Sequence, residues 1–381
     1  MATHAFSQLL DAHLDSFLDR NRLPLHQIKT LKCYRACRTA AMGSHTEYCE
    51  RGHLMGVWYD SCKRRGCPQC KTMDTERWLR STREVLLDET HHHWVFTLPH
   101  ELLDIWRYNK GAMQDILFRS VAETIKALSK DKQWLGAQPG YLLALHTWGR
   151  NLSLHPHIHC LISNGGLDSR GQWRTPKKKI LFPAQVMMQL FRGKFLAAMR
   201  DLDGLSLPPS MKPNEHRWLA STLTRKDWIV HCCKPYRHGQ GVVTYLSRYV
   251  KKGPFNLGQI RLTQDQRIRF SYQDHRHGRS KRTVDPDTFI KQLCLHIAER
   301  GKPTLRYYGL YHPSRRQALN EARDQLGQTP VTKAEELLFI WSGFIPDMRD
   351  MRVSNGSARY QALKVTLTDT APDHGRMMSA Y

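Results

Sequence analysis

The chain is poor in acids. Of its 381 residues, 34 are Asp or Glu and 58 are Lys or Arg, a formal charge of +24. An imbalance of that size implies a polyanionic partner, most often nucleic acid and less often an anionic membrane surface. No apolar run approaches the length of a membrane-spanning helix, so a transmembrane protein is not expected. The start, MATHAFSQLLDAHLDSFLDR, lacks the charged opening and unbroken apolar core of a signal peptide, so a cytoplasmic, nucleoid-associated protein is expected. There is no GxxxxGK[ST] loop, and hence no sign of an NTP-driven motor. Repeats and low-complexity tracts are also absent. Aromatic residues are plentiful: ten Trp, fourteen Tyr and twelve Phe, with 40% hydrophobic residues overall. That composition excludes a disordered chain, and the length allows one large domain or two to three ordinary ones.

The ten cysteines are unevenly placed. Cys33, Cys37, Cys49, Cys62, Cys67 and Cys70 crowd one segment, while Cys160, Cys232, Cys233 and Cys294 are scattered. Without a secretory signal, clustered cysteines read as metal ligands rather than disulfides. Cys67-Pro-Gln-Cys70 is a CxxC knuckle suited to one tetrahedral zinc. Cys49 and His53 offer an opposite pair, and Cys33 or Cys37, His45 and Cys62 suffice for a second site. Such a closed site staples a small domain rather than performing chemistry.

Along the chain, Phe6, Leu9, Leu10, Leu14, Phe17 and Leu18 keep helical spacing. A second helix is expected over 75–89 and a strand over 93–97, closed by Leu98-Pro99. Helical patterns fill 100–135, and strands are expected over 141–147 and 157–163, the second ending at Gly165-Gly166. Further helices are expected over 183–200, 240–251 and 288–298, and strands over 227–232 and 260–272. Residues 202–216 read as a loop. The pattern weakens after 316, and the last 30 residues are polar.

The sharpest feature is His155-Pro-His157-Ile-His159. On a strand, His157 and His159 share one face while Ile158 points into the core, so the two imidazoles form a ready chelate. A lone His is usually structural; two at i, i+2 around an apolar residue are much less often accidental. A third ligand is needed. His146 on the preceding strand is the first candidate, with His155, His93 and Gln or Asp residues as rivals; a hydrogen-bonding role within the sheet is the plain alternative. A His-rich site with open positions suits a divalent metal acting as Lewis acid on a phosphoryl oxygen.

Tyr245-Leu-Ser-Arg248-Tyr249 puts two phenols one turn apart on a helix, followed by Lys251 and Lys252. Alone, such a pair is core packing. Beside a His-x-His strand and a charge of +24, it becomes a pair of candidate nucleophiles flanked by phosphate-binding Arg248, Lys251 and Lys252.

These features resemble the HUH endonucleases with paired tyrosines. The wider sequence resembles the rolling-circle transposases of the insertion-sequence-91 family, through CRTAAMGSH, SCKRRGCPQC, VFTLPHEL, LHTWGRNLSLHPHIHCLISNGGL, YLSRYV, RFSYQDHRHG and RYYGL, in family order over about residues 30–310. The resemblance implies an α+β fold: an HUH core, antiparallel sheet flanked by helices, behind a small cysteine-rich zinc-binding domain. It divides the chain into an N-terminal helix (1–30), a zinc domain (31–80), a nuclease domain (90–315) and a C-terminal tail (316–381). It implies cleavage and rejoining of single-stranded DNA at element ends and target through 5′-phosphotyrosine on Tyr245 and Tyr249. His157 and His159, with His146 as third ligand, would hold catalytic Mg²⁺ or Mn²⁺. Structural Zn²⁺ would draw on Cys37, His45, Cys49, His53, Cys62, Cys67 and Cys70. A plasmid relaxase or rolling-circle replication initiator shares this chemistry but not the cysteine-rich start or RYYGL. A zinc-dependent regulator with a degenerate nuclease core would lack the intact histidine and tyrosine pairs. The chain departs from the family in having Arg51 where relatives often have a cysteine, Gly66 where they often have His before the knuckle, and no cysteine in residues 311–381.

Overall fold

The computed structural model describes residues 5–49, 51–177, 181–202, 204–212, 215–233, 253–274 and 278–331. The expected helix over 240–251 and most of the C-terminal tail lie outside them. Two compact units are present, one running through residue 35 and from 62 to 330, the other holding residues 36–61.

The larger unit is built on an antiparallel sheet. Its strands are β3 (His91–Thr97), β4 (Gln138–Trp148), β5 (Leu154–Leu167), β7 (Val230–Cys232) and β11 (Leu305–Gly309), in the order β11-β4-β5-β3-β7, with the short β6 (Trp173–Arg174) pairing on β5. Alternation gives the sheet two chemically different faces. Trp94, Phe96, Leu143, Leu145, Ile158, Cys160 and Ile162 are buried on one face in the main core. That core is completed by α5 (Lys110–Lys130) through Met113, Ile116, Leu117, Val121 and Ile125, and by α6 (Ala184–Arg200) through Met187, Phe191, Phe195 and Leu196. Ile158 is fully buried, and removing such a side chain from water is worth about 1.5–3 kcal/mol. The other face carries His93, His146, His157 and His159.

A second, three-stranded antiparallel sheet holds β8 (Ile260–Leu262), β9 (Ile268–Asp274) and β10 (Gly278–Val284). Its apolar side packs through Phe255, which meets Phe6 of α1 (Ala5–Arg20) at 5.4 Å, Phe289 of α8 (Pro286–His296) at 5.6 Å and Phe270 of β9 at 6.4 Å. Asp285 caps α8 by accepting from Thr288 N–H, with Pro286 at the first turn. Arg20 and Asp287 join α1 to α8 with two 3.0 Å bonds.

Several expectations are corrected. The strand expected over 260–272 is two strands, broken at Thr263–Arg267, where Thr263 N–H donates to Arg267 O and Gln266 adopts φ 58°. Gly165-Gly166 does not end β5, which continues to Leu167. A Cβ on Gly166 would lie 2.3 Å from Gln138 O, so glycine is required by the close crossing of β4. Part of the expected 202–216 loop enters α7 (Glu215–Arg225), and the weak region after 316 holds α9 (Arg316–Gln325). The smaller unit is a hairpin of β1 (Ser44–Tyr48) and β2 (Leu54–Tyr59), which follows α2 (Leu25–Ala36) in the chain.

Candidate active site

β5 lies between β4 and β3, so its histidines meet neighbours on both sides. His146 is the register partner of His157, and Val95 that of His159. Ring centroids stand 5.3 Å apart for His146 and His157, 4.5 Å for His146 and His159, and 4.9 Å for His157 and His159. One ring nitrogen from each of the three falls within 4.8 Å of the others.

The surrounding bonds orient the rings. His157 Nδ1–H donates to His155 O at 2.7 Å, which turns its Nε2 lone pair inward. His93 Nε2 and His159 Nδ1 share a proton at 2.9 Å; with that proton on His159, its Nε2 also faces inward. His157 Nε2 and His159 Nε2 are then 3.2 Å apart. Nitrogens in adjacent positions about 2.1 Å from one ion are separated by about 3 Å, so the pair fits a single divalent ion. Trp148 stacks on His146 at 4.9 Å and 12°, fixing the third ring.

Burial keeps these imidazoles in the neutral, metal-binding form. It pushes His157 down to about 4, against the opposing effect of the bond to His155 O, with the His155 and His93 rings adding smaller downward effects. It holds His159 well below its ordinary value, helped by His146, His157 and His93. His93 is pushed to about 4 by burial and then by His231. Of the sequence candidates for third ligand, the structure brings His146 to the pair. His93 stands behind His159 as its hydrogen-bond partner, and His155 offers its backbone carbonyl to His157. Trp148 was not singled out in the sequence; its position two residues beyond His146 on the same strand face is the signal that would find it.

The second cluster is Cys37, Cys62, Cys67 and Cys70, all buried, with their sulfurs within 4.8 Å of one another. Cys62 Sγ and Cys70 Sγ are 3.7 Å apart. Thiolates 2.3 Å from a tetrahedral zinc stand about 3.8 Å apart, so the donor set fits zinc and closes around it. Cys49 and His53, expected to face the knuckle, are not members of that cluster. Those two residues flank the turn at the tip of β1–β2, where Cys49 N–H donates to His53 O. Cys37, by contrast, adjoins the base of the hairpin, where Arg38 N–H donates to Asp60 O. Five strand residues separate tip from base, about 17 Å. His45 Nδ1 meets Asp60 Oδ1 at 3.3 Å. Among the described residues, His45, Cys49 and His53 form no further metal group. The knuckle loop is fixed by Tyr34, whose OH donates to Arg65 O at 2.5 Å, and by Gln69, whose amide donates to Tyr34 O. Gly66 in that loop has φ 79°, and a Cβ there would stand 3.0 Å from the Tyr34 oxygen. Tyr245, Tyr249, Arg248, Lys251 and Lys252 lie outside the described residues.

A family model described as a putative transposase matches residues 140–318, which include all three clustered histidines. One described as a transposase zinc-binding domain matches residues 9–98, which include all four clustered cysteines. The putative transposase y4qJ of Sinorhizobium fredii (strain NBRC 101917 / NGR234) is 33% identical over 320 residues, 81% of this chain and 80% of its own. The transposase for insertion sequence element IS801 of Pseudomonas savastanoi pv. phaseolicola is 30% identical over 312 residues, 78% and 72% of the two chains.

The chain belongs to the insertion-sequence-91 family of rolling-circle transposases.

As a transposase it acts on DNA, and its N-terminal cysteines are a zinc-binding domain's. No helix of the described residues is long and apolar enough to cross a membrane. Among solved structures, TrwC complexed with a 27-mer DNA comprising the recognition hairpin and the cleavage site is similar over 36% of this chain and 66% of its own, with 15% identity and a TM-score of 0.22. A likeness that loose aligns no side chains.

Proposed function

We propose that this transposase cuts and rejoins single-stranded DNA at the ends of its element and at the target through tyrosine–DNA intermediates, assisted by Mg²⁺ or Mn²⁺. The observation that carries the reading is the convergence of His146, His157 and His159 on one sheet face. A divalent ion bound there would polarise a phosphoryl oxygen of the scissile phosphate. His157, His159 and His146 would hold that ion, while His155 O and His93 keep the rings in place.

Tyr245 or Tyr249 supplies the nucleophile. The tyrosine oxygen–phosphorus bond forms as the bond to the 3′ oxygen breaks. The proton lost by the phenol is balanced by the one the 3′ oxygen takes up. The phosphodiester energy is kept in the link, so no nucleotide triphosphate is required. The second tyrosine repeats the reaction on a new strand, and attack of a free 3′-OH reverses it. Arg248, Lys251 and Lys252 contact the phosphates beside the tyrosines. In this reading residues 31–80 act as the zinc domain and 90–315 as the nuclease.

The test is covalent capture. Single-stranded oligonucleotides spanning the element ends are incubated with the protein and Mg²⁺ or Mn²⁺, and resolved on a denaturing gel. A metal-dependent adduct that disappears only in the Tyr245→Phe, Tyr249→Phe double variant is expected. Adduct formation that survives the double variant, or no adduct where DNA binding persists, overturns the reading.

A further inference from the structure

The β8–β9–β10 sheet contains Arg269–Asp274 and Gly278 of the RFSYQDHRHG stretch, and the histidine site makes no use of it. Its register fixes what each face presents. Ile260 pairs with Phe270, and Arg261 with Arg269, across β8 and β9. Ser271 pairs with Lys281 and Gln273 with Arg279 across β9 and β10. One face therefore carries Ile260, Ile268 and Phe270, all buried. The other carries Arg261, Arg269, Arg279 and Lys281, all exposed and interleaved with Ser271, Gln273 and Thr283.

Like charges placed directly opposite each other on a sheet are unfavourable, yet Arg261 faces Arg269. Neither β8, β9 nor β10 places an acid on this face. Asp265 in the β8–β9 turn lies near Arg267 and Arg269, which add to its bond from Thr263 in holding its carboxyl below the usual range. One carboxylate at the rim leaves a strong positive excess. Aromatic side chains decide what kind of polyanion fits. A single-strand platform stacks bases on exposed aromatics. Here Phe270 is buried on the opposite side, and Tyr272 shares its face. What remains outward is guanidinium, ammonium, amide and hydroxyl, the groups that supply most contacts to phosphate oxygens. At its far end, β9 reaches the turn between β4 and β5, where Arg150 donates to Gln273 O at 3.5 Å. That turn begins three residues after His146, so the basic sheet adjoins the histidine end of the large sheet.

We infer that the exposed face of β8–β10 is a sequence-independent docking surface for the phosphate backbone of duplex DNA, gripped by Arg261, Arg269, Arg279 and Lys281. It holds the double-stranded flank of a DNA whose single strand occupies the histidine site. The surface rests on the family's action on DNA, not on the tyrosine chemistry.

The test compares the full chain with a variant carrying Arg261→Gln, Arg269→Gln, Arg279→Gln and Lys281→Gln. All four positions are exposed, so folding is retained, as circular dichroism and zinc content verify. Binding is measured against salt for a short random-sequence duplex and for oligothymidylate. Each phosphate contact on a duplex contributes about 0.9 to the slope of log affinity against log salt, so the duplex slope is expected to fall by about 2–4. Duplex affinity should drop at least about tenfold near physiological salt, with oligothymidylate affinity kept within about twofold. Should the quadruple variant fold poorly, Arg261→Gln and Lys281→Gln alone are each expected to lower the duplex slope by about 1. An unchanged duplex slope overturns the proposal, as does an equal loss on both probes. Adduct formation on short single strands is expected to persist in these variants, so failure of this surface and failure of the tyrosine reading give different results.

Discussion

His146 and His157 are register partners across β4 and β5, with ring centroids 5.3 Å apart and planes at 86°. The pairing turns two histidines separated by ten residues in sequence into neighbours on one face. It requires the whole hairpin to be in register, since a slip by one residue would send His146 into the apolar core. The donor set is thus a property of strand pairing as much as of residue identity.

Replacing His146 with Ala is expected to raise the Mn²⁺ concentration needed for half-maximal cleavage by at least about tenfold, leaving single-strand affinity in EDTA unchanged. Titrating metal in the covalent-capture assay checks both halves. A wild-type metal requirement would remove His146 from the donor set.

His93 acts on the site through His159. His93→Ala should weaken metal binding about 10–100-fold, the usual range for a residue that orients a ligand. His93→Gln, which retains a hydrogen-bonding group toward His159, should recover part of the loss. Metal-dependent thermal stabilisation measures the affinity without relying on cleavage.

One zinc per chain is expected, held by Cys37, Cys62, Cys67 and Cys70. Cys62→Ser or Cys67→Ser should abolish stoichiometric zinc and unfold the segment around the knuckle, because structural zinc binding is worth about 10–16 kcal/mol in small zinc peptides. Cys49→Ser and His53→Ala should keep the zinc. Elemental analysis of the purified variants distinguishes these outcomes, and a zinc loss in Cys49→Ser would restore the hairpin tip as a ligand pair.

Acid should destabilise the protein through His91. Its Nδ1–H donates to Glu89 O at 2.8 Å and its Nε2 accepts from the Tyr311 hydroxyl at 2.6 Å. Burial pushes this imidazole down to about 4. The unfolded chain, with an ordinary value near 6.5, binds the proton first. The stabilisation is therefore complete above about pH 6.5 and is lost as pH falls towards 4. It amounts to about 3 kcal/mol, from 1.36 kcal/mol per pH unit. His296, also near 4 and bonded to Leu152 O, adds in the same direction. Denaturant melts from pH 7.5 to 4 should show the loss, and His91→Gln should flatten it.

The β5 site was largely legible in the sequence, because a period of two sorts His157 and His159 from Ile158 without any knowledge of neighbours. Third-ligand choice was not, since His146, His155 and His93 all lie near in sequence or fold, and only strand register separates a ligand position from a hydrogen-bonding one. The zinc set was half legible. CxxC announces itself, but Cys37 and Cys62 are joined by the path of the β1–β2 hairpin, which no spacing rule encodes. β10 was missed because GRSKRTV has almost no apolar residue; its extended form comes from pairing with β9. The split of β8 from β9 was missed because alternation continues across the turn, whose break depends on Thr263 and a left-handed Gln266.

The two-sided character of β5 carries an evolutionary consequence. In the proposed reading positions 157 and 159 answer to chemistry, whereas 158, 160 and 162 are buried in the main core. Mutations on one side are nearly silent on the other. A copy that loses its histidines would keep its apolar side and hence its fold, and with the basic sheet intact it would still occupy DNA. Decayed copies of such an element would then compete with active ones for the same ends, so loss of catalysis in one copy would restrain the spread of the rest.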